Sequence, residues 1–253
     1  MLAGSAAALA APALAALAAR GSGMAGLTGP TVRDAAAATT AATVPFSIQN
    51  NTGSDTVYAF VTGQAIDNGN ALMLLQSDGH TPYFPASPAD PGSPLSADCA
   101  IPLNASGGAP ATITVPHLAG ARLWLSIGAP ITFLLNPGPA LVEPSVTNPS
   151  DPNIHLAWDF CEFTFNQAQL FANLTFVDFA SIPLALALTD TSGAQQSAAG
   201  LAPGGLGTIC AGLTAQAAAD GHQWTSLIVT TGGRTLRALS PTNGIVLNPG
   251  FLA

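Results

Sequence analysis

The sequence predicts a mainly β domain, an antiparallel sandwich or barrel with one or two short helices. Three observations carry this. Apolar and β-branched segments of roughly five to twelve residues recur along the chain, the usual length of strands. The 21 prolines and 26 glycines are spread between them rather than clustered, so connections are short and turn-rich. A single stretch, 205–221, has helical periodicity, which argues against alternating βαβ units.

Element by element, residues 1–43 read as a leader and linker. The run AAALAAPALAALAA (6–19) is too short and too weakly apolar to span a bilayer. With the small residues after it, it resembles the apolar region and cleavage zone of a secretory signal, although no Lys or Arg precedes it. A secreted product follows from this reading. The domain then occupies 44–253. VPFSIQN (44–50) and TVYAFVTG (56–63) flank NTGSD, a turn of hairpin character. Further strands are expected at 70–76, 111–116, 121–128, 131–136, 155–166, 171–179, 182–190, 223–231 and 235–239. In 205–221, Leu206, Ile209, Cys210, Leu213 and Ala217 follow an i, i+3, i+4, i+7 pattern, with Gly221 as a stop. That helix should bury Cys210.

Charge narrows the function. The chain has no lysine and five arginines against thirteen acids, a net charge of −8. Nucleic acids and anionic membrane surfaces need clustered cations and are excluded as partners. No metal-ligand spacing occurs among the four histidines and three cysteines, so neither metal nor cofactor is expected. Cys99, Cys161 and Cys210 leave two readings open, a Cys161–Cys210 bridge or buried free thiols.

Only two glutamates exist. Glu143, in a proline-rich loop, reads as a solvated acid. Glu162 lies mid-strand in WDFCEFTFN, where alternation puts Trp158, Phe160, Glu162, Thr164 and Asn166 on one face and Asp159, Cys161, Phe163 and Phe165 on the other. The aromatic neighbours are expected to desolvate the carboxyl and favour its protonated form, as a general acid requires. If 155–166 and 171–179 pair as a hairpin about residue 170, Glu162 faces Asp178. Two carboxylates in one cleft are the minimum equipment for glycoside hydrolysis. Spacing alone also fits a hydrogen-bonded structural pair. Trp124 and Trp224 read as core, and Trp158 as a candidate stacking surface. Arg234 and Arg237 read as partners of surface acids.

The segment EFTFNQAQLFANLTFVDFASIPLALAL (162–188) resembles the signature of the thaumatin-like superfamily. More closely, LLNPGPALVEPSVTNPSDPNI (134–154), that segment, and WTSLIVTTGGRTLRALSP (224–241) together resemble glycoside hydrolase family 64. Its members are endo-acting, inverting β-1,3-glucanases that release laminaripentaose. The resemblance covers about residues 44–250 and implies a thaumatin-like fold. It implies Glu162 as general acid and Asp178 as general base, with Thr164, Asn166 and Thr175 lining a glucan groove. Phe171 falls where relatives often carry Trp, a smaller stacking platform without an N–H donor. Inversion needs roughly 6.5–9.5 Å between the carboxyls, so the resemblance also implies a splayed or bulged arrangement rather than a close hairpin contact. The family continues beyond the match to Asn248–Phe251, which makes 44–253 C-terminally incomplete on this reading. The expected partner is β-1,3-glucan and the expected state a monomer. The alternative is a non-catalytic thaumatin-like module that binds glucan or serves in defence.

Overall fold

A computed structural model describes residues 2–7 and 42–251. Two sheets stack. The five-stranded sheet runs Gln195–Ala198, Leu184–Thr189, Leu2–Ala7, Thr43–Asn50, Ala111–Pro116. Its pairs are antiparallel except Leu2–Ala7 with Leu184–Thr189, which is parallel. The seven-stranded sheet has the path Leu170–Leu174, Ala157–Phe165, Leu118–Ile127, Val57–Ala65, Ala71–Leu75, Pro82–Tyr83, and Ile101–Pro102 pairs with Val57–Ala65. Two small three-stranded sheets and the helices Gly205–Asp220 and Pro241–Leu247 complete the described fold. The expected mainly β antiparallel architecture is the observed one. Strand Leu2–Ala7 lies within the stretch read as leader, while residues 8–41, which hold most of that apolar run, lie outside the described residues.

The seven-stranded sheet is buried on both faces. Phe46, Ile48 and Val44 of one sheet meet Val61, Leu123, Leu125, Cys161, Phe163 and Phe165 of the other, and Phe46 packs edge-on against Phe163 at 5.1 Å. The opposite face carries a second core of Phe60, Trp124, Phe133, Trp158, Phe160 and Phe179. In Ala157–Phe165 the alternation is as read from the sequence, odd residues inward to the first core and even residues to the second. Burying one such large apolar side chain is worth about 1.5–3 kcal/mol, so both layers contribute substantially. Only Glu162 and Thr164 on this strand are half-buried, and this is where the second face opens.

Several connections differ from expectation. Thr43–Asn50 and Val57–Ala65 belong to different sheets, so NTGSD is a sheet-to-sheet crossing and not a hairpin turn. Asn50 explains it. Its Nδ2 donates to the carbonyls of Ser54 and Asn104, and its Oδ1 accepts from the Thr52 N–H, a local side-chain turn that redirects the chain. Residues 171–179 are not one strand, because pairing stops at Leu174 and resumes at Phe179–Ala180. Within 223–231, Trp224–Leu227 forms a 3₁₀ turn before the strand Ile228–Thr231.

Helix Gly205–Asp220 presents the predicted stripe. Leu206, Ile209, Cys210, Leu213 and Ala217 are half-buried, but none is fully enclosed. All three cysteines are free. Cys99 and Cys161 are buried, and desolvation pushes both thiols up to about 12. Cys210 is half-buried rather than buried, and no bridge joins it to Cys161.

Candidate active site

The site begins with a bulge. In strand Leu118–Ile127 the register against both neighbours shifts around Gly120, which sits at φ +52°, a left-handed conformation that glycine adopts without penalty. Bulges re-aim the side chains beside them. Two residues on, Arg122 stands between Glu162 on one neighbouring strand and Thr62 on the other.

The Arg122 guanidinium spreads over the rings of Phe160 and Trp124, 4.7 and 5.3 Å from their centres. Trp124 is itself fixed, its Nε1 donating to Thr62 Oγ1 at 3.0 Å. Nε and Nη2 of Arg122 donate to Glu162 Oε1 at 3.3 and 3.1 Å. Nη1 donates to Glu143 Oε2. The two glutamates of the chain thus share one arginine. The Glu162 side chain is 39% exposed, so its surroundings are a guanidinium and open solvent, not the apolar pocket expected. Glu143 is likewise an ion-pair partner and not a free loop acid. Both donors fall on Oε1.

The hairpin register also departs from expectation. Glu162 faces Asn173, and Thr164 faces Phe171. The turn is tighter than a centre at residue 170 would make it. Asn166 Oδ1 accepts from the Ala168 and Gln169 N–H groups and its backbone N–H donates to Gln169 O, closing the hairpin over 166–169. Asp178 is therefore not the cross-strand partner of Glu162. It is exposed in the bend after Leu174, which Thr175 shapes by accepting from the Val177 N–H at 3.3 Å.

The bend returns to the same face. Phe179 packs on Trp158 at 4.8 Å and on Phe160 at 6.3 Å between ring centres, so Asp178 precedes a residue anchored on the Glu162 side of the sheet. The Asp178 carbonyl accepts from Ser240 N–H at 2.8 Å and from Asn243 Nδ2 at 2.9 Å. Ser240 in turn caps helix Pro241–Leu247 through Oγ.

The remaining expected residues divide. Phe171 is 59% exposed, an available ring on the face of Thr164 and Glu162. Phe176 and Val177 extend this exposed apolar edge. Trp158 is on the predicted face, yet only 2% exposed. Trp124, Phe179 and the Arg237 guanidinium enclose it, so it is a core residue and not a stacking surface. Trp124 is core as expected, whereas Trp224 is half-buried against Phe251. Arg237 is fully buried instead of pairing with a surface acid. Asn173 Oδ1 is buried and accepts no hydrogen bond from the described residues. Arg122 and Ser240 are not marked as site residues by the sequence. No local pattern marks Arg122, although a lone cation in an apolar strand of a lysine-free chain is a signal. Among the described residues no group of three or more His, Cys, Asp or Glu side chains could hold a metal ion. No helix among them is long and apolar enough to cross a membrane.

Comparison with known proteins gives a consistent relationship. A family described as beta-1,3-glucanase, glycoside hydrolase 64, matches residues 42–253. The glucan endo-1,3-beta-glucosidase of Cellulosimicrobium cellulans is 31% identical over 214 residues, 83% of this chain and 36% of that protein. The enzyme of the same name from Arthrobacter sp. (strain YCWD3) is 30% identical over the same share. The chain thus spans little more than a third of the length of these curated relatives. Among solved structures, a laminaripentaose-producing beta-1,3-glucanase in complex with laminaritetraose superposes with a TM-score of 0.70 at 32% identity, over 81% of this chain and 54% of that one. The laminarihexaose complex of the Paenibacillus barengoltzii enzyme shares the fold, with a TM-score of 0.55 at 20% identity over 83% of this chain and 60% of that one. With its two-sheet architecture and its match from residue 42 to 253, the chain belongs to the glycoside hydrolase 64 family of beta-1,3-glucanases.

Proposed function

We propose that the protein hydrolyses β-1,3-glucan within the chain, with inversion, Glu162 acting as general acid and Asp178 as general base. The observation that carries this reading is Glu162 itself. It is a carboxyl held by Arg122 at Oε1, at the place where a doubly buried strand becomes accessible. Oε2 would protonate the departing glycosidic oxygen. Asp178, carried by the bend and not by the paired strand, would take a proton from a water on the opposite face of the sugar. Inverting hydrolysis needs a gap between acid and base, because the water must fit between sugar and base. The exposed Phe171 supplies a stacking ring, and Thr164, Asn166 and Thr175 supply polar edges. A neutral polysaccharide suits a chain nearly free of cations. The same reading takes the enzyme to be secreted and monomeric.

The test is turnover of β-1,3-glucan by the full-length protein and its variants, with the anomer of the first product followed by NMR. General acid–base catalysis contributes about 10²–10⁴-fold. Glu162→Gln and Asp178→Asn should each lose kcat on that scale, and the wild type should release the α-anomer first. Unchanged turnover in either variant, or initial release of the β-anomer, refutes the assignment. Glucan binding without turnover in the wild type would favour the non-catalytic module instead.

A further inference from the structure

We propose that Glu143 is a positioning residue for Glu162, acting through Arg122. The inference rests on the reading of Glu162 as the acid. An arginine beside a carboxylate is ordinary, but this one is constrained on every side. Its plane is set by two buried rings, Phe160 and Trp124. Its rotation within that plane is set by carboxylates at both ends of the guanidinium fork, Glu162 on Nε and Nη2 and Glu143 on Nη1. Without Glu143, the fork could swing about its own axis and Glu162 Oε1 would follow it.

Glu143 comes from outside the sheet, on the segment after strand Ala140–Val142, and that segment is tied down. Asp151 accepts from the Ser145 and Asn153 N–H groups, and the Asn153 side chain bonds both the N–H and the carbonyl of Thr132. The anchored loop therefore delivers Glu143 to Arg122 across 21 residues of sequence.

Facing Glu162 are Arg122 from strand Leu118–Ile127 and uncharged Asn173 from strand Leu170–Leu174, with Glu143 reaching Arg122 from the loop. Removing the Glu143 carboxylate therefore leaves Arg122 tied to Glu162 alone, with Nη1 unheld.

The experiment is the measurement of kcat and KM for the full-length protein and its Glu143→Gln, Arg122→Gln and Glu162→Gln variants. Glu143→Gln should lower kcat about tenfold, since small misplacements of catalytic groups are costly, with KM within about twofold. Arg122→Gln should lower kcat at least as far. Glu143 is exposed, so its variant should keep the wild-type Tm, and circular dichroism with a thermal melt checks this. Wild-type kcat in Glu143→Gln, or a loss confined to KM, overturns the proposal. Turnover surviving in Glu162→Gln instead overturns the acid assignment beneath it. Loss in Glu162→Gln with an unchanged Glu143→Gln removes only the role of Glu143.

Discussion

Two arginines lie on the same aromatic face of the seven-stranded sheet, one at its open end and one at its closed end. Arg122 lies over Phe160 and Trp124, and Arg237 lies over Trp158 and Phe179 at 5.1 and 5.8 Å. The stacking is alike, but the polar ends are not. Arg122 meets two carboxylates at a partly open edge. Arg237 is fully buried, donates to the Leu156 carbonyl, and finds no hydrogen-bond partner for Nε and Nη1 among the described residues. Burial lowers its pKa to about 10, against the pull of Asp159 and Asp151. A cation laid on paired rings is thus one building unit with two outcomes. At the edge it organises acids, and in the interior it fills space at an electrostatic cost.

This contrast can be broken by exchange of effects. Truncating a large buried side chain costs about 3 kcal/mol or more, so Arg237→Ala should lower Tm by many degrees while turnover per folded molecule stays near wild type. Arg122→Ala should do the reverse, losing activity with the smaller change in stability, because its side chain is part-exposed where Arg237 is fully buried. Denaturant melts and active-site-normalised rates distinguish the two. A stable, inactive Arg237→Ala would dissolve the comparison.

The interior end should also carry a pH signature. Burial raises the Asp159 carboxyl to about 7, against the N–H donors of Phe160, Ile182 and Ser181 and the field of Arg237. Its folded pKa lies above the unfolded value near 3.8. Between those values the native state holds the extra proton, so this group's contribution to stability falls as pH rises from about 4 to about 7 and then levels off. Asp159→Asn should flatten that slope in Tm against pH, and an unaltered slope would assign it to other groups. The smallest effect is expected at Phe171, where Phe171→Ala removes a stacking surface worth about 1 kcal/mol, roughly fivefold in KM, with kcat retained.

The sequence made the strands and their faces legible because alternation is written residue by residue. Glu162 and Thr164 share a face as the alternation required, and the half-buried stripe on helix Gly205–Asp220 is the one its spacing marks. Register was not legible. A side-chain turn at Asn166 and a bend at Thr175 divide what read as one continuous strand, and a shift of a few residues reassigns every cross-strand partner. Trp158 misled for a related reason, since alternation tells which face a residue occupies but not whether that face is wet. The link between Arg122 and Glu143 joins a strand to a distant loop and leaves no periodic trace.

The mooring of Asp178 has a practical corollary. Its backbone hangs from the Ser240–Asn243 cap, while Glu162 is fixed by strand pairing and Arg122. Re-seating the short helix Pro241–Leu247 should therefore move Asp178 relative to Glu162 without altering the pairing of strand Ala157–Phe165. Engineering that seeks a wider or narrower span should begin at the helix cap.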